Sequence, residues 1–178
     1  MDILLSSNFE RYLYYALNEN SERVSELITN LLSGGELSVN EEELKNIQNE
    51  FYGEFANDDE TVNAIKSVYE NYHYLMDPHT AVAYSVYEKL DNSNLDKNIH
   101  TVIMSTAHPF KFPTPIAKAL GLDETKEPYA ILDEVSKVTG VKFPEKLTEV
   151  RNSEIRFSNV IDKAEIQDFV KKYINDLK

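Results

Sequence analysis

Cysteine is absent from these 178 residues, which excludes disulfides, thiolate metal sites and thiol catalysis. Glycine is scarce: Gly34, Gly35, Gly53, Gly121 and Gly140 are all there is, placed mostly where helices are expected to stop. Long apolar runs are missing too. No stretch approaches the roughly eighteen apolar residues of a membrane span, and the first residues lack the basic and extended apolar regions of a secretory signal, so a cytoplasmic protein is expected. Positive charge is in deficit, with 18 Lys and Arg against 31 Asp and Glu and a formal charge of −13. Nucleic acid and anionic membrane surfaces both demand a basic patch, so neither is an expected partner. Any phosphorylated ligand must be held by local donors.

What is present suffices for a real core. Hydrophobic residues make up 42% of the chain and aromatic residues 11%, and the length suits one domain, or one domain with a small appendage. Helical periodicity dominates. Ser7-x-x-Glu10 reads as a capping box opening a helix over 8–18, with Phe9, Leu13 and Leu17 as its stripe. Asn20-Ser21-Glu22 starts a second helix carrying Val24, Leu27, Ile28, Leu31 and Leu32, and Ser38-Val39-Asn40 caps a short acidic third. The aromatic run 51–55 fits a short strand or a loop. Asn57 opens a helix with Val62, Ile65, Val68, Tyr69 and Tyr72 on one face, a packing stripe before a binding platform. Asp77-Pro78 breaks it, and Thr80 is placed to cap the next helix over 81–90. After a polar turn over 92–98, residues 99–104 read as a buried strand. Thr114 with Pro115 begins a helix ended by Gly121. Further helices follow over 130–139, from Pro144 to about Val150, and after an Asp162-x-x-Glu165 capping box, the last with Ile166, Phe169, Val170, Tyr173, Ile174 and Leu177 as its face.

The polar turn after the one confident strand collects chemistry. Ser105, Thr106, His108 and Lys111 lie within seven residues of one another, where ligands bind in open α/β sheets, beyond the carboxyl ends of strands. His79 stands at a helix start, which suits a neutral, structurally bonded imidazole as much as a cleft-lining one. A hydroxyl capping the turn is the plain alternative for Thr106, and helix capping that for Ser6, Ser7 and Asn8. A lone buried strand cannot satisfy its own backbone groups, so 99–104 needs strands this sequence does not supply.

Three segments, SSNFER at 6–11, DPHTAVA at 77–83 and STAHPFKF at 105–112, resemble in order three signatures of the longer threonine synthase family, pyridoxal-phosphate (PLP) enzymes of the tryptophan-synthase-β-like fold (fold type II). The resemblance covers the chain to about residue 120. Residues 1–4 resemble a segment well inside that family's sequence, so residues 1–178 are expected to be the C-terminal portion of such an enzyme, an α/β, helix-rich piece with few strands of its own. It contains the cofactor-contacting strand and turn at 99–113 and a helical remainder, and its partner is expected to be the N-terminal portion. The resemblance places Thr106 against the cofactor's pyridine nitrogen, with Ser105 or His108 positioning the turn, and lines the cleft with Ser7, Asn8, Asp77, His79, Thr80, His108 and Lys111. The family's Schiff-base lysine and its glycine-rich phosphate loop lie earlier in its sequence and have no match here, and Lys111, between two phenylalanines, is not that lysine. Phe110 occupies a position where the family usually has a small residue. The whole enzyme would convert O-phosphohomoserine and water to threonine and phosphate. This chain alone would supply no catalytic residue, retain no PLP and be inactive, with self-association through exposed surface expected.

Two other readings remain. One is a non-catalytic binding or regulatory module built on the same fold. The other is a metal hydrolase using His73, His79, His100, His108 and Asp77, against which stands the absence of an i, i+4 histidine pair or an HExxH pattern. No metal site is expected.

Overall fold

Three successive helices begin on asparagine. The computed structural model describes residues 6–90 and 99–176; residues 1–4, the whole polar turn expected over 92–98 and Leu177 fall outside the described residues. The chain divides into two compact units, Met1–Phe55 and Ala56–Lys178. In the first, α1 (Ser7–Ala16), α2 (Ser21–Leu32) and α3 (Glu41–Glu50) follow one another. The Asn20 side chain accepts the Arg23 N–H and that of Asn40 the Glu43 N–H, satisfying donors that a helix start leaves without partners. Leu13 and Leu17 pack with Val24 and Leu27 in a small buried cluster, with Tyr14, Ile28, Leu37, Val39 and Ile47 against it. The Arg23 guanidinium clamps Glu43 from α2, Nε to Oε1 at 3.0 Å and Nη2 to Oε2 at 3.1 Å. That contact, with the Asn40 N–H, holds the Glu43 carboxyl below its usual range.

The capping box expected from Ser7 to Glu10 does not form. Ser6 occupies the cap position with no side-chain cap bond, which puts Glu10 one residue too far along to reach back. The 51–55 run is an exposed aromatic loop, Phe51 lying edge-on to Tyr12 with ring centroids 4.5 Å apart.

The second unit holds α4 (Asp58–Tyr72), α5 (Pro78–Lys89), α6 (Pro113–Leu120), α7 (Pro128–Thr139), α8 (Glu145–Asn152) and α9 (Ile166–Asp176), with 3-10 turns at Pro109–Lys111 and Lys163–Glu165. Asn57 caps α4 by accepting the Glu60 N–H, and the Glu60 carboxylate accepts the Asn57 N–H in return. α4 packs on α5 and α6, and α6 on α7. Their shared core contains Ile65, Val68, Leu75, Met76, Ala81, Phe110, Ile116, Ile131 and Val135. Each large member contributes about 1.5–3 kcal/mol by leaving water. Arg151 of α8 grips Asp133 of α7 with two hydrogen bonds, 2.9 and 3.0 Å, and lies over the Tyr129 ring.

Two expectations fail here. Residues 99–104 form no strand: the described residues contain none that could pair with them, and Ile99, Val102 and Met104 are each at least 70% exposed. Backbone donors and acceptors join a ladder only when a partner strand is present, so the segment stays irregular; the expected helix-rich character holds, and the strand expected within it does not form among the described residues. The second concerns α6, which starts at Pro113 rather than at 114 or 115, because Pro113 already supplies the fixed φ and missing N–H that suit a first helical position. The last helix forms as expected, yet Ile166, Val170, Tyr173 and Ile174 stay about half exposed.

Candidate functional site

α4 ends at His73, whose φ of +54° is left-handed. The chain then runs on without regular secondary structure, burying Leu75 and Met76 and leaving Tyr74 exposed. Asp77, fully buried, caps α5. Pro78 suits the first helical position, where an N–H would lack a helical partner anyway, and Asp77 Oδ1 accepts from the second and third amides that a cap normally meets, His79 at 2.9 Å and Thr80 at 3.3 Å. The Thr80 hydroxyl donates to Asp77 Oδ2. The cap is therefore Asp77, not Thr80 as the sequence suggested: Thr80 sits three residues into the helix start and completes the carboxyl group's hydrogen bonds. Both residues are consumed by the fold, and what they offer a ligand is a rigid wall. His79 is half-buried, its ring edge-on to Phe112 at 5.1 Å.

The bend after residue 104 is held at two points. The Tyr74 hydroxyl donates to Ser105 Oγ at 3.3 Å. Three residues on, His108 Nδ1 accepts the Phe110 N–H at 3.2 Å, capping the Pro109–Lys111 turn. Phe110 is 2% exposed, with His108 edge-on at 5.2 Å and Phe143 at 5.4 Å. Its ring fills the core, so the bulk that departs from the resembled family is packed away from the open side. Between the two holding points Thr106 is exposed. Lys111 is also exposed, its Nζ 6.0 Å from the Phe112 centroid, a loose cation–π contact.

The structure thus brings together the segments 77–80 and 105–111, through Tyr74–Ser105 and through Phe112, whose ring meets both His79 and Lys111. Ser7 and Asn8 belong to the first unit. Ser7 opens onto a groove of about 560 Å³ shared with Arg11, Tyr14, Ser21 and Ser25, and the Asn8 carboxamide accepts from the Ser6 hydroxyl at 3.0 Å. Tyr74 and Phe112 are site residues the sequence reading missed. Tyr74 follows the left-handed His73 that ends α4 and so lies beyond the helix's packed face; no local sequence signal marks its contact with Ser105, 31 residues away. No described helix is long and apolar enough to cross a membrane.

The family pattern "Threonine synthase, C-terminal" matches residues 80–174. Threonine synthase of Schizosaccharomyces pombe is 38% identical over 130 residues, covering 67% of this chain and 25% of its own length. Its counterpart from Saccharomyces cerevisiae is 32% identical over 170 residues, covering 87% of this chain and 33% of its own. Among solved structures, PLP-bound threonine synthase from Brucella melitensis superposes with a TM-score of 0.72 at 28% identity, covering 98% of this chain and 32% of that one. The yeast threonine synthase crystal structure gives a TM-score of 0.73 at 28% identity, with 99% and 36% covered. The chain spans a quarter to about a third of the length of these relatives.

Proposed function

The chain belongs to the threonine synthase family, as its C-terminal domain, and on that premise we propose that it forms the cofactor-facing C-terminal part of a PLP-dependent enzyme converting O-phosphohomoserine and water to threonine and phosphate. The observation that carries this reading is Thr106: an exposed hydroxyl on a bend fastened at both ends. The residues present fit one edge of such a cofactor. Thr106 would meet the pyridine nitrogen, and a neutral hydroxyl there, unlike a carboxylate, does not favour protonation of the ring. Bound PLP supplies an electron-withdrawing ring that stabilises charge developing on a substrate carbon.

The chain's other residues orient and enclose. Ser105, bonded to Tyr74, holds the bend. Asp77 and Thr80 stiffen the start of α5 beneath His79. His79, His108 and Lys111 are the polar groups that would face substrate from the second unit. None is a catalytic base in this proposal. The lysine that anchors PLP and the loop that grips its phosphate would come from a polypeptide corresponding to the rest of the relatives' length, and without that partner the chain would be inactive and would not retain the cofactor. A cytoplasmic location is part of the same proposal. The reading as a stand-alone binding module is disfavoured by side chains such as Ile155 and Val160, 88% and 96% exposed, which a self-sufficient domain would cover.

The test mixes this polypeptide with a lysine-bearing N-terminal threonine synthase portion, and follows PLP absorbance and phosphate release from O-phosphohomoserine. Both should appear only in the mixture. Thr106→Ala should weaken PLP binding about two- to tenfold, the range expected from one hydrogen bond, and shift the absorption band. A Thr106→Ala mixture identical to wild type would remove Thr106 from the cofactor site.

A further inference from the structure

The exposed hydroxyl of Thr106 lies on a bend without regular secondary structure, yet the bend is tied to the core on either side. Upstream, the Tyr74 phenol reaches across 31 residues of sequence to Ser105 Oγ at 3.3 Å, and Tyr74 directly precedes the buried pair Leu75 and Met76. Downstream, His108 Nδ1 accepts the Phe110 N–H at 3.2 Å, and its ring rests on the buried Phe110 ring. An N–H can be accepted at Nδ1 only if that nitrogen carries no proton, so the neutral imidazole must hold its proton on Nε2. His108 is thereby fixed in one tautomer and one orientation by its own backbone.

We propose that Tyr74 and His108 are positioning residues that bracket Thr106, Tyr74 through Ser105 and His108 through the Phe110 amide, so that the Thr106 hydroxyl is held in place before the cofactor arrives. The proposal deepens the reading of Thr106 as a cofactor contact and rests on it. Pre-organisation of this kind matters because an irregular segment left free must be ordered on binding, which weakens affinity. Neither side chain touches the cofactor in this scheme.

The two imidazole nitrogens can be separated by substitution. Asparagine places an oxygen near the position of Nδ1 and can still accept the Phe110 N–H, whereas leucine keeps bulk and accepts nothing. Hydrogen exchange of the full 178-residue chain, read by mass spectrometry at high dilution over peptides spanning 105–112, should show faster exchange in Tyr74→Phe and His108→Leu and near wild-type exchange in His108→Asn. Nitrogen-15 spectra should show His108 as the Nε2–H tautomer. In the mixture described above, Tyr74→Phe and His108→Leu should weaken PLP binding by about two- to tenfold, with His108→Asn restoring most of it. Equal exchange in all three variants, or an Nδ1–H tautomer, would overturn the bracket. Altered exchange with unaltered PLP affinity would also overturn positioning, since a purely structural tie gives that result. Failure of the cofactor reading has a different signature: Thr106→Ala would then leave PLP binding unchanged while the exchange pattern persists.

Discussion

Asp77 is the residue on which the site's geometry turns. Its buried carboxyl group is satisfied by two backbone N–H groups and the Thr80 hydroxyl, and a buried acceptor stripped of its donor costs about 1–3 kcal/mol. Thr80→Val keeps shape and removes that donor, so it should lower the urea midpoint by a stability loss in that range, while Thr80→Ser should stay near wild type. A loss confined to Thr80→Ser, with Thr80→Val at wild-type stability, would show that the methyl, not the hydroxyl, matters. At this scale the sequence displayed which chemical groups were present: Ser105, Thr106, His79, His108 and Lys111 were all marked as polar groups near helix starts or turns. Their partners were not visible. Tyr74 and Ser105 are 31 positions apart, and no local periodicity couples them. Asp77 is the cap rather than Thr80 because Pro78 fits the first helical position, so the helix starts directly after Asp77 and the carboxylate meets the usual second and third amides.

Helix ends carry the next level of information. Three of them adopt the left-handed conformation, His73 at φ +54°, Gly121 at +69° and Gly140 at +71°. The glycines meet that geometry without a Cβ, whereas His73 works against it, at a cost of up to about 1–2 kcal/mol. His73→Gly should raise stability by about 0.5–1 kcal/mol, the gain being trimmed by the loss of the ring contact with Tyr69 at 6.3 Å. Calorimetry would register it as a higher Tm, and an unchanged or lower Tm would mean the imidazole contact outweighs the backbone strain. Helices were the most legible feature, because asparagine caps and glycine stops act within a few residues: the caps Asn20, Asn40 and Asn57 fall within the stretches the sequence marked as helix starts. Starts beside proline slipped. The 99–104 strand failed because strand formation is not local.

Among the described residues, apolar surface left open includes the irregular segment with Ile99, Val102 and Met104, the aromatic loop with Phe51, Tyr52 and Phe55, and the tail with Ile155, Phe157, Val160 and the outer face of α9. Exposed patches of this kind drive association. The isolated chain should therefore self-associate in sedimentation runs and bind an apolar dye, and Val160→Lys with Ile174→Lys should reduce both. A dye-silent monomer would mean that this surface is covered in solution. The same exposure limits what sequence can disclose. Ordered motifs at 6–11, 77–83 and 105–112 were sufficient to point to the family, since side-chain identity and spacing are written directly in the chain. So were the helix count's main outlines, the capping residues and the apolar stripes, all governed by neighbours three or four positions away. Only the folded chain decided that Phe110 turns into the core, that Phe112 joins His79 to Lys111, that Tyr74 secures the bend, and that residues 99–104 stay unpaired. Each of those depends on which distant side chain or backbone arrives alongside, and burial and hydrogen bonding are settled by that encounter rather than by the residue itself.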